Sequence, residues 1–160
     1  MPTGAATGSP VLGLRAEVRQ FSWAIVEGMR QSPKVHRSGK EEAPASYDEA
    51  AALSWFRARL LALISEYKPA VVALRAMEPM ARAQKASARQ RLRLEGVLME
   101  APQSQNVPIL CGPLATISSK LHSKGAKAYL ESGEFRGIHL KALPAPAREA
   151  VLVAAAALPE

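Results

Sequence analysis

Between Arg82 and Arg93 the chain carries five basic residues, Arg82, Lys85, Arg89, Arg91 and Arg93, and no acid. Arg82, Lys85, Arg89 and Arg93 recur at i, i+3, i+7 and i+11, a spacing that puts them on one face of a helix. Such a stripe can follow a phosphate backbone through contacts that ignore base sequence. A solvated charged face is the alternative. Lys120, Lys124 and Lys127 form a second basic group around Gly125. Gly125 would let backbone amides approach a phosphate, but Ser-Lys-Gly-Ala-Lys lacks the glycine-lysine-Ser/Thr spacing of a P-loop, so a flexible lysine loop is expected. His36, His122 and His139 have no Ser, Asp or Cys partner pattern that would make them catalytic bases. The single cysteine, Cys111, excludes an intrachain disulfide and a zinc cluster. It lies in the apolar run Val107-Pro108-Ile109-Leu110-Cys111, where a buried, inert thiol and a reducing cytoplasm are expected.

Composition points the same way. The 160 residues are 48% hydrophobic and 22% charged, with a net charge of +7, which predicts a globular chain with a polyanionic partner. Nucleic acid is the first candidate and an anionic membrane surface the second. No run reaches the roughly 18 apolar residues of a membrane span. Residues 1–10 are rich in Gly, Ser, Thr and Pro and lack the basic and apolar regions of a signal peptide; they are expected to be disordered. Residues 11–160 are expected to form a single domain, with no internal repeat or linker.

The elements that must position these residues follow from apolar patterning. A strand is expected from Val11 to about Val18, and a second from Gln20 to Glu27, where Phe21, Trp23 and Ile25 alternate with Ser22 and Ala24. Arg30 to Lys40, with Pro33 and Gly39, reads as a weak third strand at an edge. The three predict an antiparallel meander. Ser46 and Glu49 match a capping box, and Leu53, Phe56, Leu60, Ile64 and Tyr67 continue as a helical stripe stopped at Lys68-Pro69. Ala70 to Leu74 and Val107 to Cys111 read as buried parallel strands. A helix from about Met80 or Ala81 to Ala101 lies between them. Leu114 to about His122 is a short helix, Ala128 to Leu130 its resumption, Ile138 to Leu140 an extended stub, and Ala147 to Leu158 a final alanine-rich helix. Trp23 and Trp55 fall on apolar stripes and are expected in the core.

This order resembles the RuvC branch of the RNase H-like superfamily. The residues that carry the likeness are Val11-Leu12-Gly13-Leu14-Arg15 in the first strand and Phe21 to Glu27 in the second. Tyr67-Lys68-Pro69-Ala70-Val71-Val72-Ala73-Leu74-Arg75 leads into and forms the fourth. The basic helix with Gly96, and Glu149-Ala150-Val151-Leu152-Val153-Ala154-Ala155 in the last helix, complete the set. The chain is also similar to small bacterial proteins of this fold that carry no assigned activity. The resemblance implies an α/β domain with a mixed five-stranded sheet, three strands antiparallel and then two parallel, flanked by helices. It also places the basic helix beside a nucleic-acid channel.

The departures from the family pattern bear on function. Nucleases of this superfamily hold two divalent metals about 4 Å apart on four carboxylates. The resemblance places those ligands at Arg15, Arg75, Pro146 and Glu149, so four negative charges become two positive, one neutral and one negative. A guanidinium has no lone pair and stays protonated, so it cannot ligate magnesium. The expectation is a pseudonuclease without catalytic residues, metal or cofactor, binding structured or duplex nucleic acid through Arg15, Arg75, Arg82, Lys85, Arg89, Arg93, Lys124 and Lys127. Arg15 and Arg75 can serve either as a phosphate fork or as a structural salt bridge with Glu149; both readings stay open. Glu17, Glu78 and Glu149 offer a second route, a displaced metal site with nuclease activity. A third is a protein-interaction scaffold, or a homodimer, docking through a sheet edge or the alanine-rich last helix.

Overall fold

A computed structural model describes residues 8–78, 85–122 and 125–160. The first strand, β1 (Val11–Ala16), alternates Leu12, Leu14 and Ala16 to one side and Val11, Gly13 and Arg15 to the other. It ends two residues earlier than its apolar pattern suggests, because Glu17 N–H turns back to the Gln20 carbonyl at 2.9 Å and Arg19 adopts φ 61°. Strands β2 (Gln20–Met29) and β3 (Ser32–Glu42) complete an antiparallel meander. The third strand is long rather than weak, and it forms the sheet edge, where Pro33 costs no essential ladder bond.

Helix α1 (Glu49–Tyr67) starts at Asp48, whose carboxylate accepts the Ala51 N–H at 2.8 Å. Ser46 is therefore not the cap. Asp48 sits immediately before the first helical residue in an extended conformation, and its carboxylate also complements the helix dipole. The helix stops at Lys68, in the left-handed region, before Pro69. Strand β4 (Val71–Arg75) then pairs parallel with β1, and β5 (Ile109–Gly112) pairs parallel with β4. The sheet order is β3-β2-β1-β4-β5.

Between β4 and β5, helix α2 (Ala86–Ser104) begins several residues later than the basic pattern predicts, with Lys85 extended at its N-cap. After β5 come α3 (Leu114–Leu121) and α4 (Ala126–Ser132). A small hairpin, β6 (Glu134–Phe135) with β7 (Ile138–His139), follows, and then a 3-10 turn, Leu140–Ala142.

The last helix, α5 (Ala145–Ala156), lies directly on the sheet. A Cβ at Gly13 would stand 2.0 Å from the Ala150 carbonyl oxygen, so glycine and a run of alanines permit this close approach. Residues Ala150 to Ala156 are buried around the whole helix, between the sheet and α3 and α4. The alanine-rich helix is thus core and offers no docking face. The opposite sheet face packs Leu12, Leu14, Phe21 and Leu74 against Phe56 and Leu60 of α1 and Leu94 and Leu98 of α2. Among the described residues, no helix is long and apolar enough to cross a membrane.

Candidate nucleic-acid interface

Strand register sets the site. Arg75 on β4, Arg15 on β1, Ser22 on β2 and Lys40 on β3 are successive cross-strand partners, forming one row across the sheet. The row lies on the α5 face, just beyond the point where that helix begins.

Arg15 and Arg75 meet on one carboxylate. Arg15 Nε donates to Glu149 Oε2 at 3.2 Å and Arg75 Nε to Glu149 Oε1 at 2.8 Å. Each guanidinium also donates through Nη1 to a backbone carbonyl, that of Ala16 or of Ala76. Arg75 Nη2 stands 3.2 Å from Glu78 Oε1, which accepts the Leu114 N–H at the start of α3. Arg75 is 6% exposed. A guanidinium can be buried so deeply because carboxylates and carbonyls take its hydrogens.

A third arginine completes the arrangement. Arg91, on α2, pairs through Nε with Glu95 Oε2 at 3.0 Å. Glu95 is buried, and both its oxygens accept the Met77 N–H, tying the chain after β4 to α2. Burial pulls the Arg91 guanidinium below its ordinary pKa; repulsion from Arg15 and, more weakly, from Arg75 adds to this against the attraction of Glu95. Among the described residues, Arg91 Nη2 is buried with no hydrogen-bond partner.

These groups line a cleft of about 660 Å³. Arg15, Arg75, Lys85 and Arg91 face it, as do Glu17 and Glu78, while Glu149 and Glu95 lie behind the arginines. The immediate charges therefore balance. Glu17 holds Gln20 Nε2 on one oxygen at 2.9 Å, and its other oxygen is buried without a partner among the described residues.

The fold brings together Arg15, Arg75, Glu149 and Lys85 of the expected site. It does not bring in the rest. Arg82 and Lys124 lie outside the described residues. The basic stripe is not a single helix face, because Lys85 precedes the helix. Arg93 is turned to α1, where its Nε meets Glu49 Oε1 at 2.7 Å and its Nη2 donates to Glu49 Oε2 at 3.1 Å. Arg89 is exposed on the first turns of α2, and Lys127 is exposed on α4, away from the cleft lining. Pro146 stands in the first turn of α5, three residues before Glu149, and offers no ligand atom. Sequence reasoning missed Arg91 and Glu95 as site residues. Their i, i+4 spacing was the available signal, since an acid on the inner face of a helix needs a cationic partner.

The donor set does not fit the divalent metals that the resemblance implies. Among the described residues no three His, Cys, Asp or Glu side chains cluster as ligands. Glu149 is held by two arginines, and Glu78 by Arg75 and the Leu114 N–H, so neither is available to join Glu17 in a displaced site.

The mixed sheet, the central α5 and the helices over the other face define a RuvC-like form of the RNase H-like fold. The chain is similar to Thermus thermophilus RuvC, at 14% identity over 92% of each chain with a TM-score of 0.72. It is similar in like measure to T. thermophilus RuvC in complex with Holliday junction substrate, at 14% identity and TM-score 0.71 over 92% of this chain and 91% of that one. The yeast mitochondrial Holliday junction resolvase Ydc2 matches at 14% identity and TM-score 0.56, over 96% of this chain and 81% of its own. No protein-family model and no curated protein sequence matches the chain.

Proposed function

We propose that this protein is a catalytically inactive RuvC-like domain that binds structured or duplex nucleic acid at the arginine cleft. One observation carries the reading: Arg15 and Arg75 close on Glu149 at the position where the resemblance expects a metal. The two roles left open for these arginines are compatible. Their Nε and Nη1 atoms, and Nη2 of Arg75, serve internal contacts, while Arg15 and Lys85, which line the cleft, suit a phosphate. The net charge of +7 and the nuclease-type fold support a polyanionic ligand. The similar resolvases include one bound to a Holliday junction, which makes branched DNA the first probe.

Two assays test this. Incubation with branched, duplex and hybrid substrates in magnesium or manganese is expected to give no cleavage; metal-dependent cleavage by the purified chain overturns the inactive assignment. Binding is expected to weaken steeply with salt. Lys85→Ala should lower affinity and reduce the salt slope by about 0.9, the contribution of one phosphate contact on duplex DNA. Unmeasurable affinity for DNA and RNA at about 50 mM salt, where electrostatic binding is strong, sinks the binding assignment.

A further inference from the structure

The cross-strand row does not stop at Arg15. It continues through Ser22 to Lys40 and enters a second pocket, of about 460 Å³, that shares Glu17 with the arginine cleft. Gln20, Ser22, Ser38 and Lys40 line this pocket on the sheet side, and Pro144, Pro146 and Ala147 on the other.

Three features suit it to an anion. The first turn of α5 opens on it with no side-chain cap, so the Ala147 amide is among the donors left over at a helix start. Pro146 before it has no N–H. Ser22 is the independent feature. It is 2% exposed, it lines the pocket, and its hydroxyl has no hydrogen bond among the described residues. With no protein partner among the described residues, that hydroxyl is free to bond whatever occupies the pocket, and a phosphate oxygen can accept its hydrogen bond. Lys40 brings the charge; its contact with Glu42, at 3.6 Å between two exposed side chains, is weak enough to exchange for a phosphate. Glu17 works against an anion, but one of its oxygens is buried and the other holds Gln20 at the boundary between the pockets.

We propose that this pocket holds a second phosphate of the nucleic acid bound at the arginine cleft, through Ser22, Lys40 and the Ala147 amide. The inference rests on the function proposed above. The row crosses three inter-strand gaps, roughly 14 Å at the usual strand spacing, so a single backbone can contact both pockets.

Fluorescence anisotropy with labelled DNA and RNA dodecamers, single-stranded and duplex, tests it. Lys40→Ala should weaken binding roughly tenfold, as loss of a charged hydrogen bond does, and should lower the salt slope by about one phosphate. Ser22→Ala should weaken binding several-fold with the slope unchanged, because it removes a neutral donor. Lys40 is exposed on an edge strand, so its variant keeps the test valid if Ser22→Ala folds poorly. If both variants fold and bind as the parent chain does while Lys85→Ala binds weakly, the second site is wrong and the arginine cleft stands. If the parent chain binds no probe, both assignments fall.

Discussion

Glu149→Gln should lower stability and raise nucleic-acid affinity together. The side chain keeps its shape but loses the charge that two guanidiniums share. Arg75, Glu149 and Arg15 have side chains 7%, 14% and 18% exposed, so solvent compensates little. A charge-assisted hydrogen bond is worth about 1.5–3 kcal/mol; the glutamine amide oxygen can still accept from one guanidinium but its NH2 group faces the other, so about one such bond is lost. The expected loss is about 2–3 kcal/mol, at the lower edge of what breaking a buried pair costs. For a domain of this size that corresponds to a fall in Tm of about 5–10 °C. The same change leaves two arginines beside the cleft without their counter-charge, so nucleic acid should bind more tightly and with a salt slope steeper by about one phosphate. Urea unfolding and salt-dependent anisotropy measure the two effects. Stability unchanged within about 0.5 kcal/mol, the ordinary range for a surface substitution, refutes the internal bridge. Lost stability with no gain in affinity refutes the claim that Glu149 competes with phosphate for the arginines.

Other expectations concern the frame and the site. Gly13→Ala should cost about 3 kcal/mol or more in chemical denaturation, because its Cβ meets the backbone of α5, which cannot withdraw without unpacking the sheet. Asp48→Ala should cost about 1 kcal/mol in the same assay, whereas Ser46→Ala should be close to neutral. Burial, aided by Glu95, raises the Cys111 thiol above its ordinary pKa, so less thiolate is present at a given alkaline pH. Its alkylation near pH 8 should be slower in the native protein than in urea; equal rates contradict this. Arg15→Asp with Arg75→Glu should restore carboxylates beside Glu149, and manganese should then raise the Tm of the double variant but not of the parent chain.

Much of the frame was legible because buried strands are written in runs of Val, Leu, Ile and Ala. Val11 to Leu14, Phe21 to Val26 and Val71 to Leu74 leave little choice but strands, and the parallel pairing follows from the helices between them. Boundaries set by local geometry were harder. The basic run before Ala86 continues the periodicity of α2 without a break, so nothing in its residue types marks where the helix starts. The β6–β7 hairpin turns through Arg136 and Gly137, both with positive φ (46° and 88°), as a two-residue primed turn requires. Arginine is an unusual first residue for such a turn. Its guanidinium donates to the Arg30 carbonyl at 2.5 Å and the Leu121 carbonyl at 2.7 Å, tertiary contacts that offset the strain and leave no trace in a local window. In the site, the meeting of Arg15 and Arg75 followed from aligning two strands. The participation of Arg91 did not, because it depends on the rotation of α2 about its axis.

On the proposed reading, arginines at the positions where the resemblance expects carboxylates also explain how a fold of this kind can remain intact without a divalent ion. In a metal site, a cation between strand ends and the last helix draws negative groups from both together. Arg15 and Arg75 supply that positive charge from within the chain, and each guanidinium bonds in several fixed directions where an ion would bond in all. The consequence for binding is specific. Because Glu149, Glu95, Glu78 and Glu17 nearly cancel Arg15, Arg75, Arg91 and Lys85, the cleft has no large net field of its own. If the cleft binds as proposed, a phosphate there is selected by the placement of a few donors, while the long-range attraction that brings a polyanion to the surface must come from the charge surplus elsewhere on the chain.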